Sequence, residues 1–207
     1  PFWAYYDGGP LLALCGLFVY VVLLFAEAVG SRPHVTLEQL GGAFFLSVMI
    51  PFFLSSFVRI RQMEHWEPLI IIPLVAAFLS DAFALFAGMA FGKHKMAPQL
   101  SPKKTWEGAI GGFVGTVVSM LVYGVVLQLG FSYSVSYLLL ALYGALGSVV
   151  SQLGDLSFSY IKRQYGLKDF GNIFPGHGGV LDRFDSVILC APLMELLIHI
   201  LPAVGGA

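Results

Sequence analysis

Six long apolar segments constrain this chain more than any other feature of its sequence. They cover residues 10–29, 41–58, 68–91, 109–131, 135–154 and 182–203. A helix that crosses a lipid bilayer needs about 20 mostly apolar residues, and each segment is close to that length. The apolar residues do not alternate with a period of two, which excludes strands of a membrane barrel. Because backbone groups in lipid must be paired within their segment, the sequence predicts an all-α, polytopic bundle of about six spanning helices.

Composition excludes several classes of protein. Hydrophobic residues make up 57% of the chain and charged residues only 11%, whereas soluble domains carry about 25% charged residues. The formal net charge of -1 provides no basic field for nucleic acid, so no nucleic-acid partner is expected. Cys15 and Cys190 lie in apolar runs and indicate small buried side chains, not a disulfide or a metal site. Since the chain begins at Pro1, we expect a fragment that lacks upstream helices.

The basic residues predict the orientation of the chain. The loops between segments one and two, three and four, and five and six hold nine of the 11 Lys and Arg residues. The positive-inside rule places these loops in the cytoplasm. Polar residues concentrate in the last two of these loops, so we divide the chain into N-terminal transmembrane helices, 1–67, and a catalytic transmembrane domain, 68–207.

The loop before the fourth segment contains Ser101-Pro102-Lys103-Lys104-Thr105. Ser is a good N-cap and Pro suits the first helical position, so the pattern predicts that the fourth helix begins here. A helix N-terminus favours phosphate, and the two lysines add full charges. The motif is equally compatible with a substrate phosphate site and with a nonspecific anchor on lipid headgroups.

Carboxylates mark a second candidate site. Asp81 lies within the third segment, where an unpaired charge costs about 2.5–3.5 kcal/mol, so it must face the bundle or a wet cavity. Asp155 marks the expected end of the fifth helix, and Asp155, Ser159 and Lys162 have the spacing of one helix face. Asp182 and Asp185 share a face at the start of the last segment.

Carboxylates this close resist joint ionisation unless a cation lies between them. Without clustered His or Cys, they favour a hard ion such as Mg²⁺. Neighbouring Lys and Arg would hold phosphate oxygens, and the combination suits displacement at phosphorus. The alternatives are helix-capping aspartates and, for Asp81, a structural hydrogen bond.

The same residues resemble a known family. Ser159-x-x-Lys162-Arg163, Lys168-Asp169-x-Gly171 and His177-Gly178-Gly179-x-x-Asp182-Arg183-x-Asp185 resemble the signature of the phosphatidate cytidylyltransferases, or CDP-diacylglycerol synthases. Ser80-Asp81 through Gly92-Lys93-His94, and Ser101–Gly108, are also similar to this family. The resemblance covers about residues 75–190, and the first two segments match only in being hydrophobic.

The resemblance implies an enzyme that makes CDP-diacylglycerol and pyrophosphate from CTP and phosphatidate with Mg²⁺. It further implies a homodimer in the bacterial plasma membrane, with its site on the cytoplasmic side; a second, monovalent cation is left open. Asp155 and Asp182 are then the first candidate metal ligands, followed by Asp81 and Asp185. The candidate catalytic residues are Asp155, Asp182, Asp185, Lys162, Arg163 and His177. The candidate substrate-binding residues are Ser101, Lys103, Lys104, Thr105, Ser159, Lys168 and Arg183.

Other functions compete with this interpretation. A CTP-dependent kinase of polyprenol or phytol would share the nucleotide and metal site. A CDP-alcohol phosphotransferase is disfavoured because its aspartate-rich DGxxAR pattern is not seen. A transporter is suggested by Asp81 within a helix, but the other charges cluster on one face instead of following a path. A structural scaffold gives no reason for two polar loops.

Overall fold

The computed structural model describes residues 9–30, 35–171 and 178–205, with side chains from residue 13 onward. These residues form eight helices and four short strands. The helices are α1 Gly9–Gly30, α2 Leu37–Leu54, α3 Ser56–Arg61, α4 Trp66–Leu69, α5 Ile72–Phe91, α6 Trp106–Phe131, α7 Tyr137–Gln164 and α8 Leu181–Ile200. The strands are β1 Lys95–Ala97, β2 Ser101–Thr105, β3 Ser134–Val135 and β4 Val204–Gly205. β1 pairs with β2, and β3 pairs with β4, both antiparallel.

Five helical stretches are long and apolar enough to cross a membrane. They are Ala13–Gly30, Leu37–Arg61, Trp66–Phe91, Trp106–Phe131 and Tyr137–Gln164, and they match the first five predicted segments. The sixth segment is also a helix, α8, but Asp182, Arg183, Asp185 and Glu195 give it more charge than the other five. The prediction of a polytopic helical membrane protein is confirmed.

Contacts divide the chain into two compact units, Pro1–Val58 and Arg59–Ala207. In the first unit, Tyr20 of α1 hydrogen-bonds Ser47 of α2, and its ring stacks on Phe44 with centroids 6.3 Å apart. Thr36 caps α2, since its hydroxyl accepts the N–H of Gln39 at 3.2 Å. The predicted division at residue 67 separates the expected catalytic residues from the rest, and it stays a prediction.

In the second unit, glycines let α6 lie directly on α5. A Cβ built on Gly111 would come within 2.1 Å of the Ala87 Cβ, and one on Gly112 within 2.8 Å of the Ser80 carbonyl oxygen. Small residues of this kind allow close approach of helices in a membrane. The contact brings the polar end of α5 beside the start of α6.

α7 is longer than the fifth predicted segment, which ended at Gly154. The helix continues to Gln164, so Asp155, Ser159 and Lys162 lie on one helix, as their spacing predicted. The predicted end of the helix near Asp155 was wrong because Gly154 is a packing residue, not a helix stop. A Cβ at Gly154 would lie 3.0 Å from the Asp185 carbonyl oxygen of α8. The two helix backbones therefore meet next to Asp155.

The predicted start of the fourth helix at Ser101 was also wrong. Ser101–Thr105 forms strand β2, and Ser101 pairs with Ala97 of β1. The helix begins at Trp106, capped by Thr105, whose hydroxyl accepts the N–H of Gly108 at 3.1 Å. Pairing with the preceding segment outweighed the Ser-Pro capping pattern. The lysines of this motif therefore lie on a strand and not in the first turn of a helix.

Candidate active site

A cavity of about 470 Å³ lies between α5, the β1–β2 hairpin, α6 and α7. Its lining combines charged, small and apolar side chains. The charged residues are Asp81, Lys95, Lys103, Lys104 and Asp155, and the apolar ones include Leu85, Met89 and Met96. Leu85 and Met89 are more than half exposed on the outer face of α5. The cavity thus offers both a surface for charged groups and an apolar border.

An ion pair joins two walls of this cavity. The Lys104 ammonium of β2 lies 2.5 Å from the Asp155 Oδ2 of α7, and the two side chains are 22% and 26% exposed. The Ser159 hydroxyl, one turn further along α7, donates to Asp155 Oδ1 at 3.3 Å. Asp155 therefore remains reachable from the cavity although both of its oxygens have partners.

Asp81 adds a second carboxylate to the same cavity. It projects from the middle of α5, and its charge interacts with those of Asp155 and Lys104. The Ser186 hydroxyl of α8 is fully buried near Asp81 and has no hydrogen-bond partner among the described residues. Asp185, beside it, interacts electrostatically with both Asp155 and Asp81. Carboxylates from α5, α7 and α8 therefore lie close enough to interact electrostatically.

A second, more buried ion pair joins α7 and α8. The Lys162 ammonium donates to Asp182 Oδ1 at 2.8 Å and lies 4.0 Å from Asp185 Oδ2. Its side chain is 10% exposed and that of Asp182 only 4%. The Phe170 ring, 5.4 Å from the ammonium, supplies a cation–π contact. Lys162 is therefore held by protein groups on several sides.

Asp182 also organises the backbone around it. Its Oδ2 accepts the N–H of Phe170 at 2.8 Å and the N–H of Gly179 at 2.9 Å. These two residues flank the segment 172–177. His177, a predicted catalytic residue, falls in that segment and lies outside the described residues. Asp182 thus connects α7 and α8 with residues on both sides of the segment 172–177.

Arg163 connects the two polar loops. Its Nε donates to the Leu100 carbonyl oxygen at 3.3 Å, and its Nη1 to the Leu167 carbonyl oxygen at the same distance. The hairpin tip is therefore attached to the end of α7. This contact also shows that both loops lie at the same end of the unit, as their shared basic character predicted.

The predicted site residues that the structure describes do not all lie in the cavity. Asp81, Lys103, Lys104, Thr105 and Asp155 line the cavity, Ser159 contacts Asp155, and Lys162, Asp182 and Asp185 form the buried cluster between α7 and α8. Arg163, Lys168 and Arg183 are exposed, and Ser101 pairs with β1. Which of these residues act in a reaction stays a prediction.

Gln152, His94 and Glu107 were not among the predicted site residues, although His94 and Glu107 lie in the motifs that resemble the family. Gln152 lines the cavity one turn before Asp155, and its amide donates to the Ala109 carbonyl oxygen at 3.1 Å. Glu107 accepts the N–H groups of Lys93 and His94 and contacts His94 Nδ1 at 2.6 Å. Gln152 could have been found from the helical spacing to Asp155. The contacts of Glu107 depend on how the hairpin folds, so no spacing in the sequence indicates them.

The donor set fits Mg²⁺ in part. Within the described ranges, no three His, Cys, Asp or Glu side chains are arranged to hold a metal ion. Mg²⁺, however, usually keeps several waters and takes one or two carboxylates together with substrate phosphates. Asp81 and Asp155 line one cavity and supply two such carboxylates. A hard cation completed by phosphate oxygens is therefore compatible with the site.

The fold and site together define a polytopic helical membrane protein with a charged cavity among its helices. Comparison with known proteins gives the family. A model of the cytidylyltransferase family matches residues 2–201, and the chain belongs to this family.

Three relatives show the extent of the match. A phosphatidate cytidylyltransferase of Bacillus subtilis is 36% identical over 86% of this chain and 65% of the relative. One of Thermotoga maritima is 32% identical over 94% of this chain and 72% of the relative. One of Rickettsia bellii is 40% identical over 71% and 64%, respectively. The chain thus spans about two thirds of the length of these relatives.

Proposed function

We propose that the protein is a phosphatidate cytidylyltransferase that makes CDP-diacylglycerol and pyrophosphate from CTP and phosphatidate. The observation that carries this proposal is the charged cavity with an apolar border. Lys103, Lys104 and Asp155 provide groups for phosphates and a cation, while Leu85 and Met89 continue onto the outer face of α5. A soluble triphosphate and a membrane lipid can meet only at such a border.

The reaction joins two anions, so its main barrier is electrostatic. An oxygen of the lipid phosphate bonds to the α-phosphorus of CTP, the bond from that phosphorus to the α–β bridging oxygen breaks, and pyrophosphate leaves. The lipid phosphate is already ionised near neutral pH and requires no general base. Lys103 and Lys104, which line the cavity, would neutralise the approaching phosphates and the leaving group.

Mg²⁺ would supply Lewis-acid stabilisation of the phosphate charge. Asp155 and Asp81 are the residues that line the cavity and would hold it. Asp182, the other first candidate ligand, would have to release Lys162 before it could hold the ion. The remaining contribution of the chain is positioning: Arg163 holds the hairpin, and Glu107 closes its base.

We further propose that the cavity opens to the cytoplasm of a bacterial plasma membrane and that the protein is a homodimer. CTP is a cytoplasmic substrate, and the hairpin and the end of α7 both lie on the side with most of the Lys and Arg residues. The dimer is proposed from the family resemblance alone. Light scattering on the detergent-purified protein tests it, and a monomer mass would exclude it.

A product assay tests the reaction. Full-length protein is incubated with radiolabelled CTP and phosphatidate micelles, with and without Mg²⁺, and the lipid products are separated. We expect labelled CDP-diacylglycerol that depends on both phosphatidate and Mg²⁺. A phosphorylated polyprenol or phytol from CTP, with no CDP-diacylglycerol, would instead identify a lipid kinase.

A further inference from the structure

The two Lys–Asp pairs of the site differ in how easily they can exchange partners. The pair of Lys162 and Asp182 is almost fully buried, and Asp182 also accepts two backbone N–H groups. The pair of Lys104 and Asp155 lines the open cavity, with both side chains more than a fifth exposed. Its Lys104 comes from the hairpin strand β2 and not from a helix. Lys104 is thus the more exchangeable partner.

We propose that Lys104 occupies the cation position at Asp155 in the ligand-free protein and moves to a substrate phosphate when a divalent cation binds there. This inference rests on the proposed function and couples its two binding events. An ammonium 2.5 Å from Asp155 Oδ2 repels a divalent ion that approaches the same oxygen. The ion and the ammonium therefore compete for Asp155.

The exchange couples the cation to the nucleotide. Once the cation holds Asp155, Lys104 has lost its carboxylate and needs another anion, and a phosphate in the cavity provides one. Each ligand then removes a cost that the other would otherwise meet, so each strengthens the binding of the other. Without Lys104, the cation would bind more tightly alone but would gain less from the nucleotide.

Mn²⁺ binding to the full-length, detergent-purified protein tests whether Lys104 competes with the cation for Asp155. Titrations followed by electron paramagnetic resonance contain neither nucleotide nor lipid. We expect Lys104→Met to lower the Mn²⁺ Kd by about tenfold, which corresponds to about 1.4 kcal/mol. Lys104→Arg, which keeps the competing cation, should bind Mn²⁺ as the unaltered protein does.

Lys103→Met is the matched control, because it removes the same charge from the same strand. Within the part of the chain that the structure describes, no ion pair between Lys103 and a carboxylate is found. The control should change the Mn²⁺ Kd by less than about threefold. An equal shift in both variants, or no shift in Lys104→Met, would overturn the competition. So would tighter Mn²⁺ binding by Lys104→Arg.

The transfer of Lys104 to a substrate phosphate is tested with an α,β-methylene analogue of CTP, which cannot release pyrophosphate. We expect saturating analogue to tighten Mn²⁺ binding at least several-fold more in the unaltered protein than in Lys104→Met. Equal tightening would overturn the transfer of Lys104 to a phosphate. The proposed reaction is judged separately by the product assay, so a shift in Mn²⁺ affinity without CDP-diacylglycerol would reject the reaction and keep the competition at Asp155.

Discussion

The Arg163 Nε atom donates to the Leu100 carbonyl oxygen, so the end of α7 holds the tip of the β1–β2 hairpin. The strand that follows Leu100 carries Lys103 and Lys104 into the cavity. The contact makes Arg163 a positioning residue in this structure, at a distance from the ion pair that it helps to place.

Arg163→Ala should therefore act mainly through the hairpin. We expect the KM for CTP to rise about three- to tenfold, with a smaller change in kcat, because the two hydrogen bonds are exposed and individually weak. Steady-state kinetics check this. Arg61→Ala, which removes an arginine whose guanidinium lies 5.6 Å from the Trp66 ring, is the control and should leave the KM for CTP unchanged. A loss confined to kcat would indicate instead that Arg163 contacts the reacting groups.

Asp155→Asn should reduce activity at least about a hundredfold, since it removes a charge that the transition state requires. The variant should stay folded, because Asp155 is partly exposed and the amide can still accept hydrogen bonds. Turnover is measured beside the melting temperature in detergent. Near-normal turnover by a folded Asp155→Asn protein would remove this residue from the site.

Asp182→Asn should lower both activity and stability. Among the described residues, the change leaves Asp185, at 4.0 Å, as the remaining carboxylate beside the buried Lys162 ammonium. Loss of one member of a buried pair costs about 3–5 kcal/mol. We therefore expect a clearly lower melting temperature than for Asp155→Asn. Equal melting temperatures for the two variants would contradict the central role of Asp182 in holding α7 to α8.

Gly111→Val should loosen the contact between α5 and α6. Even a Cβ at this position would lie 2.1 Å from the Ala87 Cβ, and overpacking of this kind costs about 1–3 kcal/mol. Gly130→Val, near the end of the same helix, has nothing within 4 Å of its Cβ and serves as the control. Thermal unfolding in detergent should separate the two variants. If both melt alike, the close helix contact is not needed for stability.

Cysteine labelling tests the orientation. Cys15 is exposed and is first replaced by Ser, while Cys190 is buried. In sealed cells, a Cys at Ala97 in the hairpin should not react with an impermeant reagent added outside. A Cys at Ser132, between α6 and α7, should react. The reverse pattern would show that the hairpin faces outward.

The chemistry should proceed in a single displacement. Within the part of the chain that the structure describes, the cavity lining contains no Ser or Cys, the Thr105 hydroxyl caps α6, and Cys190 is fully buried, so we expect no hydroxyl or thiol to form a covalent intermediate. CTP with a chiral α-thiophosphate should therefore give product of inverted configuration. Net retention, or isolation of a cytidylylated protein, would require two displacements.

Sequence periodicity was sufficient for the membrane-spanning helices, because burial in lipid imposes long apolar segments regardless of tertiary contacts. It also placed Asp155, Ser159 and Lys162 on one helix face. The capping pattern at Ser101 wrongly predicted the start of a helix, because this segment pairs with strand β1 instead. Periodicity also did not reveal that Lys162 is held between Asp182 and Asp185, since that contact joins residues 20 and more positions apart. Local sequence patterns do not predict contacts between residues so far apart.

The backbone contact at Gly154 has a consequence for the geometry of the carboxylates. α7 and α8 cross where the Asp185 carbonyl lies against Gly154, directly beside Asp155. The positions of Asp155 and Asp185 relative to each other are thus fixed by a contact of main-chain atoms and not by the length or flexibility of side chains. The separation of these two charges should therefore be insensitive to the thickness of the surrounding bilayer and to substitutions on the lipid-facing surfaces of the helices.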